Sequence, residues 1–386
     1  MLALCGCASE PDTSGLDGYV SRRRAVFGDG IVFTASVRGG DEEGALDEME
    51  KLLAAVNAEM SLSVADSALT KFNAAGAGER VAVSAQTYEL IGKSIAYSAE
   101  TGGAFNIAVY PLAKLWHVDT NGLNEYAFCD PSVAPAPPSA QDLQSALAAC
   151  DIGGLQMHRT EDGYYISKTD ARLQIDLGAV AKGYAADACI RIAREHGVQS
   201  AMINLSGNIS LLGEWYRPEE KSYTRWNVGV VAPRPAKGLG GNLCALSVSA
   251  DKTLVTSGDY ERYYETTAGE NVLTVPHIVS GITGLPLGVA ATDGGYANTA
   301  DHIISATVIC EDSAMADAYA TAACVMGADA AAAFLRERNL GGILVTNDGR
   351  MILVNVAESR ESGEAYFTLK EDFAKYKQYR IEEIVS

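Results

Sequence analysis

The sequence has few of the residues from which several common functional sites are built. Only 5 of its 386 residues are histidine, which argues against a metal site made of several histidines. Its 8 cysteines are scattered and contain no C-x-x-C pair, so the zinc and redox motifs that need this pair are not indicated. Lys and Arg total 30 against 49 Asp and Glu, and no basic cluster appears. A net charge of −19 therefore argues against nucleic acid as a partner.

Long apolar runs and a dinucleotide motif are also missing. No segment approaches the run of about 18 apolar residues that spans a membrane, and no G-x-G-x-x-G follows a first strand, as a Rossmann site would require. The composition, with 48% hydrophobic and 20% charged residues, is that of a globular protein. Strand pairs joined by short turns, with helices between the blocks, favour an α+β fold with mainly antiparallel sheets packed against helices.

The N-terminus resembles the end of a lipoprotein signal. Leu4-Cys5-Gly6-Cys7 is similar to the bacterial lipobox, in which small residues precede a lipidated cysteine. The segment is too short for a whole signal, so we expect residues 1–20 to be a signal remnant and tether and residues 21–386 to form one domain. The expected location is the extracytoplasmic face of the bacterial membrane, periplasmic or at the cell surface, with a lipid anchor at Cys7. An ordinary start with two chance cysteines is the alternative.

The stretch Gln174–Asp187 is the most informative part of the chain. Period-two alternation through Leu173, Ile175 and Leu177 predicts the end of a strand, which turns at Gly178 into a helix. A glycine turn between strand and helix exposes backbone N–H groups and the positive end of the helix dipole, where a phosphate can bind. Asp176 and Lys182 lie beside this point, although a plain tight turn remains the alternative. The apolar positions that recur every four residues in the helix are Val180, Tyr184, Ala188 and Ile192.

A carboxylate and a hydroxyl on a later helix form a candidate metal site. Asp317 and Thr321 are four residues apart, so both project from one face. Such hard oxygen ligands suit Mg²⁺, which completes its shell with water and phosphate oxygens. In the alternative interpretation, Asp317 interacts with the N-terminal end of its own helix and Thr321 bonds back to the carbonyl four residues earlier.

Two loops contain further candidates. His277 precedes a Gly/Thr/Pro loop and could act as a general base on a hydroxyl, although a hydrogen-bonded structural histidine is the alternative. Thr256–Asp259 predicts a turn that offers backbone donors and the hydroxyl of Ser257. Elsewhere we expect an exposed loop over Asp119–Ser139 and a flexible insertion over Gly288–Ala300. Arg225–Val231 is expected to continue the main sheet.

Several of these segments, taken together and in order, resemble the ApbE family, the FAD:protein FMN transferases of bacterial envelopes. The resemblance covers most of residues 25–356. The matching segments are Met60-Ser…Ser67…Phe72-Asn73, Thr101-Gly-Gly-Ala-Phe105, Pro111-Leu…Leu115-Trp116, Asp176–Tyr184, Asn204–Asn208, Thr256–Tyr260, His277-Ile…Thr283-Gly…Pro286 and Ala316-Asp-Ala…Thr321.

The resemblance implies a T-fold-like domain that takes FAD as substrate and Mg²⁺ as cofactor. The pyrophosphate would bind near Gly178–Lys182. The metal would be held by the Ala179 carbonyl, Asp317 and Thr321. His277 would take the proton of the attacking hydroxyl. The family reaction moves FMN from FAD to a Ser or Thr hydroxyl through a phosphoester and releases AMP. Acceptors would be FMN-binding-domain proteins of envelope electron-transfer systems. The implied FAD-pocket residues are Met60, Ala104, Phe105, Asn106, Asp176, Lys182, Ser257, Ile278 and Val279.

Three positions depart from the family pattern. Asn106 stands where the family usually has Asp, Ser280-Gly281 replaces the usual Asp-Pro, and Ser206 replaces a usual Gly. Two other functions therefore stay open: hydrolysis of FAD to FMN and AMP at the same site, and flavin binding without catalysis by a lipid-anchored protein.

Overall fold

The computed structural model describes residues 17–27, 30–234, 241–269, 271–356, 365–369 and 380–384. Cys7, the expected site of lipidation, lies outside these ranges. Within them, none of the helices combines the length and the apolar character needed to cross a membrane.

Helices and strands alternate in blocks along the chain. The helices are α1 (Glu42–Met60), α2 (Ala68–Ala74), α3 (Ala85–Glu100), α4 (Tyr110–Leu115), α5 (Thr120–Tyr126), α6 (Ala140–Ala148), α7 (Ala181–Glu195), α8 (Ser313–Met326) and α9 (Ala328–Glu337). The strands are β1 (Val20–Val26), β2 (Ile31–Arg38), β3 (Val81–Val83), β4 (Leu155–Thr160), β5 (Gly163–Lys168), β6 (Ser200–Leu205), β7 (Asn208–Leu212), β8 (Trp215–Arg217), β9 (Ser222–Thr224), β10 (Trp226–Val231), β11 (Asn242–Val248), β12 (Thr253–Gly258), β13 (Tyr263–Ala268), β14 (Asn271–Pro276), β15 (Val289–Thr292), β16 (Gly295–Asn298), β17 (Ile303–Cys310), β18 (Gly341–Thr346), β19 (Arg350–Val354), β20 (Ala365–Leu369) and β21 (Arg380–Ile384).

The largest sheet in the described ranges has the strand order β1-β2-β6-β7-β12-β17-β18-β19-β21. Its neighbouring strands are antiparallel, except for β19 and β21, which are parallel. This arrangement confirms the prediction of an α+β fold with mainly antiparallel sheets.

Both faces of this sheet are covered, which explains why every residue of β17 is buried. Consecutive residues of β12 point to opposite faces. Val255 packs toward the small alanines of α8, whereas Leu254 packs with Trp226 and Leu246 from β10 and β11. Helices therefore lie on one face, and the three-stranded sheet β10-β11-β20 lies on the other.

The predicted core face of α7 is confirmed. Its apolar positions pack with α1 and with the first strands of the sheet, where Phe33 of β2 meets Met49 and Cys189. The four residues that recur every fourth position in the sequence, Val180, Tyr184, Ala188 and Ile192, are all buried.

Three predictions about the connections are wrong in whole or in part. Asp119–Ser139 begins with α5, whose first turn is capped by the side chain of Asp119, and only the residues after Tyr126 form the predicted loop. Gly288–Ala300 contains the hairpin β15–β16, which the Asn298 side chain ties to the N–H and the carbonyl of Thr274 at 3.0 Å each. Arg225–Val231 contains β10, which pairs with β11 in the separate sheet, because alternation identifies a strand and its faces but not its partner.

Candidate active site

Helices α7 and α8 begin side by side, because Gly183 has no side chain. A Cβ atom at Gly183 would lie 2.1 Å from the carbonyl oxygen of Ser313 and 2.8 Å from Cα of Ala314. The carboxylate of Asp187 accepts hydrogen bonds from the N–H groups of Ser313 and Ala314, both at 2.9 Å. Burial raises the pKa of Asp187 to about 6. This contact brings Asp317, about one turn into α8, against the beginning of α7.

Asp317 binds the first residues of α7 and not the N-terminal end of its own helix, α8. This finding contradicts the alternative interpretation. Its side chain is 2% exposed. Oδ2 accepts the N–H of Gly183 at 3.0 Å, and Nζ of Lys182 lies 3.2 and 3.4 Å from the two carboxylate oxygens. Because this N–H is directed to Asp317, the Ala179 carbonyl four residues earlier accepts no hydrogen bond among the described residues. One uncommitted carbonyl oxygen therefore lies at the beginning of α7.

The hydroxyl of Thr321 provides a further oxygen at this place. It lies 3.3 Å from Oγ of Ser257, so the predicted bond from Thr321 to the carbonyl four residues earlier is not the one observed. Ser257 lies in strand β12, which runs to Gly258, so the turn predicted over Thr256–Asp259 begins only at Asp259. The uncommitted carbonyl of Ala179, the carboxylate of Asp317 and this hydroxyl are all hard oxygen donors. Their chemistry fits Mg²⁺.

The segment before α7 is extended but forms no strand, contrary to the prediction. Its backbone is paired with a side chain: Ile175 donates to Oδ1 of Asn73 at 2.8 Å and accepts from Nδ2 at 2.9 Å. The N–H of Asp176 donates to the carbonyl of Ile107 at 2.8 Å. Its Oδ1 accepts from the N–H of Gly178 at 2.8 Å. These bonds fix the Asp176 carboxylate beside the turn into α7.

A buried lysine also binds the segment that precedes α7. Lys168 is fully buried, and its Nζ donates to the carbonyls of Leu173 at 2.9 Å and Asn73 at 3.2 Å. Burial lowers its pKa. No role was predicted for Lys168 from the sequence. A single lysine at the end of a strand is commonly exposed, so the sequence did not indicate that this one is buried.

The expected flavin-pocket residues from the middle of the chain fall into two groups. Met60, Ala104 and Phe105 are buried in the core cluster that also contains Ile278. Asn106 uses its side chain locally: Nδ2 donates to the carbonyl of Cys150 at 3.0 Å, and Oδ1 accepts from Ala108 at 2.8 Å. An aspartate could not donate the first of these bonds, which gives a local reason for asparagine at this position.

Ile278 and Val279 lie at the base of the loop that follows His277. Both are buried. The carbonyl of Ile278 accepts the N–H of Leu287 at 2.9 Å, and Val279 is bridged to Pro286. The loop containing Ser280-Gly281 is thus closed by backbone pairing at its base.

Among the described residues, only one of the two ring nitrogens of His277 has a hydrogen-bond partner. Its backbone N–H and its Nδ1 both lie 3.1 Å from the carbonyl oxygen of Arg262. A carbonyl can only accept, so Nδ1 carries the proton and Nε2 keeps a lone pair. Burial, together with the smaller effects of the charges of Arg262 and Lys182, lowers the pKa of His277 to about 3. His277 is therefore neutral over the physiological range.

Charged residues gather around His277 at a place that is open to solvent, here called the cleft. Burial raises the pKa of Asp176 and that of Glu261, and both residues keep solvent-accessible surface. The charges of Arg262 and Lys182 act on Asp176, Glu261 and His277 alike. The cleft therefore brings together Asp176, Lys182 and His277 from the predicted set.

Glu261 and Arg262 were not among the site residues predicted from the sequence. They follow directly after the segment Thr256–Tyr260, and this continuity was the available signal. Their position relative to His277 depends on the pairing of β13 with β14, which the sequence does not state.

A substitution at the helix contact tests its importance. We expect Gly183→Ala to destabilise the protein by about 1–3 kcal/mol, because the methyl group would collide with backbone atoms of α8. The measurement is the free energy of unfolding in urea. Gly92→Ala in α3 is the matched control, since its Cβ would meet only the flexible end of Met157 at 3.4 Å. The expectation fails if both variants change stability equally.

Comparisons with known proteins give one consistent family. The ApbE family model matches residues 30–344. An FAD:protein FMN transferase of Treponema pallidum (strain Nichols) is 32% identical over 300 residues, covering 76% of this chain and 74% of that protein. One of Klebsiella pneumoniae (strain 342) is 30% identical over 296 residues, covering 76% and 79%.

Solved structures show the same fold. The flavin transferase ApbE from Vibrio cholerae matches with a TM-score of 0.66 at 21% identity, covering 92% of this chain and 98% of that one. The ApbE protein from Thermotoga maritima also has a TM-score of 0.66, at 22% identity and with 93% and 99% coverage.

The fold and the cleft together define an α+β protein in which carboxylates, cations and a histidine nitrogen without a hydrogen-bond partner among the described residues surround one solvent-open place. The chain belongs to the ApbE family. The family and the fold class predicted from the sequence are confirmed. The predicted enzyme class, a transferase, is confirmed by the names of the curated relatives.

Proposed function

We propose that this protein is a Mg²⁺-dependent FAD:protein FMN transferase. The observation that supports the proposal best is the uncommitted carbonyl of Ala179, produced by the hydrogen bond from Gly183 to Asp317. It supplies an oxygen beside the carboxylate of Asp317 and near the cleft of His277. The names of the curated relatives supply the reaction.

In this reaction, His277 accepts the proton of a Ser or Thr hydroxyl of the acceptor protein through Nε2. The hydroxyl oxygen bonds to the FMN-side phosphorus of FAD, the bond to the bridging oxygen breaks, and AMP leaves. Asp176 is positioned by Ile107 and Gly178 to orient the nucleotide. The anionic pyrophosphate raises the pKa of His277 from its low value in the free protein, which makes the ring a better base.

Ala179, Asp317 and Thr321 would hold the metal ion. When bound there, Mg²⁺ would neutralise the charge that builds on the pyrophosphate. Met60, Ala104, Phe105, Asn106, Lys182, Ser257, Ile278 and Val279 are the remaining proposed contacts of FAD.

We further propose that the acceptors are FMN-binding-domain proteins of envelope electron-transfer systems. The protein would act at the extracytoplasmic face of the membrane, anchored through a lipid on Cys7. The sequence Leu4–Cys7 supports this location. Mass spectrometry of the membrane fraction tests it, and an unmodified Cys7 there would contradict it.

The activity is tested by incubating the purified full chain with FAD, Mg²⁺ and an FMN-binding-domain acceptor. We expect a covalently fluorescent acceptor and one AMP per flavin transferred. Release of free FMN and AMP without labelling would establish a pyrophosphatase, and recovery of intact bound FAD would establish a flavin-binding protein. An acceptor with alanine at the target hydroxyl and a reaction with EDTA are the controls.

A further inference from the structure

Arg262 is directly opposite His277 where strands β13 and β14 meet the cleft. The register of this hairpin places Tyr263 opposite Pro276. One residue further, His277 donates its N–H to the carbonyl of Arg262 at 3.1 Å. Residues that face each other across an antiparallel pair project to the same side, with Cβ atoms about 4.5–5.5 Å apart. The guanidinium and the imidazole therefore extend from one surface of the hairpin.

The guanidinium of Arg262 has no carboxylate partner within ion-pair distance in the part of the chain that the structure describes. The charge of Arg262 lowers the pKa of Asp176 and that of His277. At both groups its effect is larger than that of Lys182. The Arg262 guanidinium is thus near enough to both Asp176 and His277 for its charge to act on them.

Lys182, the other cation at this cleft, is already engaged. Its Nζ lies 3.2 Å from Asp317 and 3.4 Å from the carbonyl of Gly178. An anionic ligand must also approach the carboxylates of Asp176 and Glu261. In the metal-free protein, Arg262 is therefore the cation at this cleft that can bind a phosphate without breaking an ion pair seen among the described residues.

The backbone around Arg262 is fixed at both ends. At its start, Asp259 donates its N–H to Ile304 at 3.2 Å. The buried carboxylate of Asp259 accepts hydrogen bonds from Arg234 and from Nε2 of His302, the latter at 2.9 Å. At the other end, the Arg262 carbonyl is held by His277. A guanidinium on such a fixed segment is suited to two-point recognition of phosphate oxygens.

We propose that Arg262 binds the flavin-side phosphate of the nucleotide next to His277, as a cation separate from the metal site. This inference rests on the proposed function. It assigns Arg262 a direct contact with the phosphate whose phosphorus is attacked, and so a role in selecting phosphorylated flavins over riboflavin.

The test is a ligand series measured without turnover. Dissociation constants of riboflavin, FMN and FAD are determined in the presence of EDTA. The proteins compared are the unchanged full-length protein, Arg262→Gln, Arg262→Lys and, as a control, Arg159→Gln, which changes an exposed arginine of β4. We expect Arg262→Gln to weaken FMN and FAD binding about tenfold to a hundredfold and to leave riboflavin binding unchanged. Arg262→Lys should recover part of the loss, because it keeps the charge but not the planar fork.

The outcomes separate the two levels of the proposal. If the unchanged protein binds FMN better than riboflavin and Arg262→Gln keeps that preference, Arg262 does not contact the phosphate, while the proposed function stands. If the unchanged protein binds none of the three flavins in EDTA and FAD also fails to bind when Mg²⁺ is restored, the proposed function itself is contradicted. If FAD binds only when Mg²⁺ is restored, the function stands and the assignment of Arg262 as a separate phosphate-binding cation is overturned. An equal loss for all three ligands in Arg262→Gln would indicate a damaged fold and would also overturn the assignment.

Discussion

We expect Asp317→Ala to lower FMN transfer about 10³-fold or more. The proposed metal would lose its only side-chain carboxylate. A metal ion contributes several kcal/mol to the stabilisation of the transition state. Because about 1.4 kcal/mol corresponds to a tenfold change in rate, loss of the metal is expected to have this large effect. Initial rates of acceptor labelling at several Mg²⁺ concentrations measure the effect.

Asp317→Asn separates the metal role from the structural role. Its amide oxygen can still accept the N–H of Gly183, which the carboxylate accepts at 3.0 Å. We expect this variant to be folded but to transfer poorly at all practical Mg²⁺ concentrations. Asp329→Ala is the control, because the Asp329 carboxylate is exposed and pairs with Arg350 far from the cleft. Full activity of Asp317→Asn would refute the proposed metal site.

His277→Ala should lower the rate of transfer about 10²- to 10⁴-fold, the usual range for loss of a general base. FAD binding should change little, because the proposed role of Nε2 concerns the acceptor hydroxyl and not the nucleotide. Equilibrium binding of FAD and the labelling rate at saturating acceptor are the two measurements. His158→Gln is the control, since His158 lies in β4 and bonds Ser167. Equal labelling rates for His277→Ala and the unchanged protein would remove its catalytic role.

The pH dependence of stability gives a second check on His277. Its pKa is about 3 in the folded protein against an ordinary value of 6.5, with burial as the main cause. Between these two values the unfolded chain binds more protons than the folded one, so stability is lost as pH falls from 7 toward 4. His277→Ala lacks this contribution. Urea unfolding at pH 7 and pH 4.5 should therefore show a smaller acid-induced loss for the variant; identical losses would contradict the buried, neutral state.

The sequence predicted the elements whose local pattern is strong and missed those that depend on a distant partner. The spacing of apolar residues in α7 predicted its buried face, because a helix makes its backbone bonds within itself. The segment through Ile175 alternates like a strand, yet its partner is the side chain of Asn73, about a hundred residues earlier. Nothing local in the sequence distinguishes the two cases.

The same limit explains what was recovered of the site. Asp317 and Thr321 share a helix face, so their spacing could be read directly from the sequence. The uncommitted carbonyl of Ala179 was expected only through the family resemblance, and its structural cause is a contact between two helices. Arg262 was missed because its position relative to His277 depends on the register of two strands. A single exposed arginine in the sequence does not indicate which residue lies opposite it.

The ion pair of Lys182 and Asp317 has a consequence for how the protein would acquire the proposed metal ion. A buried carboxylate with no counter-charge would weaken the fold by several kcal/mol, but here the ammonium group lies 3.2 Å away. The polypeptide can therefore fold before any divalent ion arrives, and uptake of the proposed metal ion would be an exchange of one counter-ion of Asp317 for another. Lys182→Met should consequently make the free energy of unfolding much more dependent on Mg²⁺ than it is in the unchanged protein.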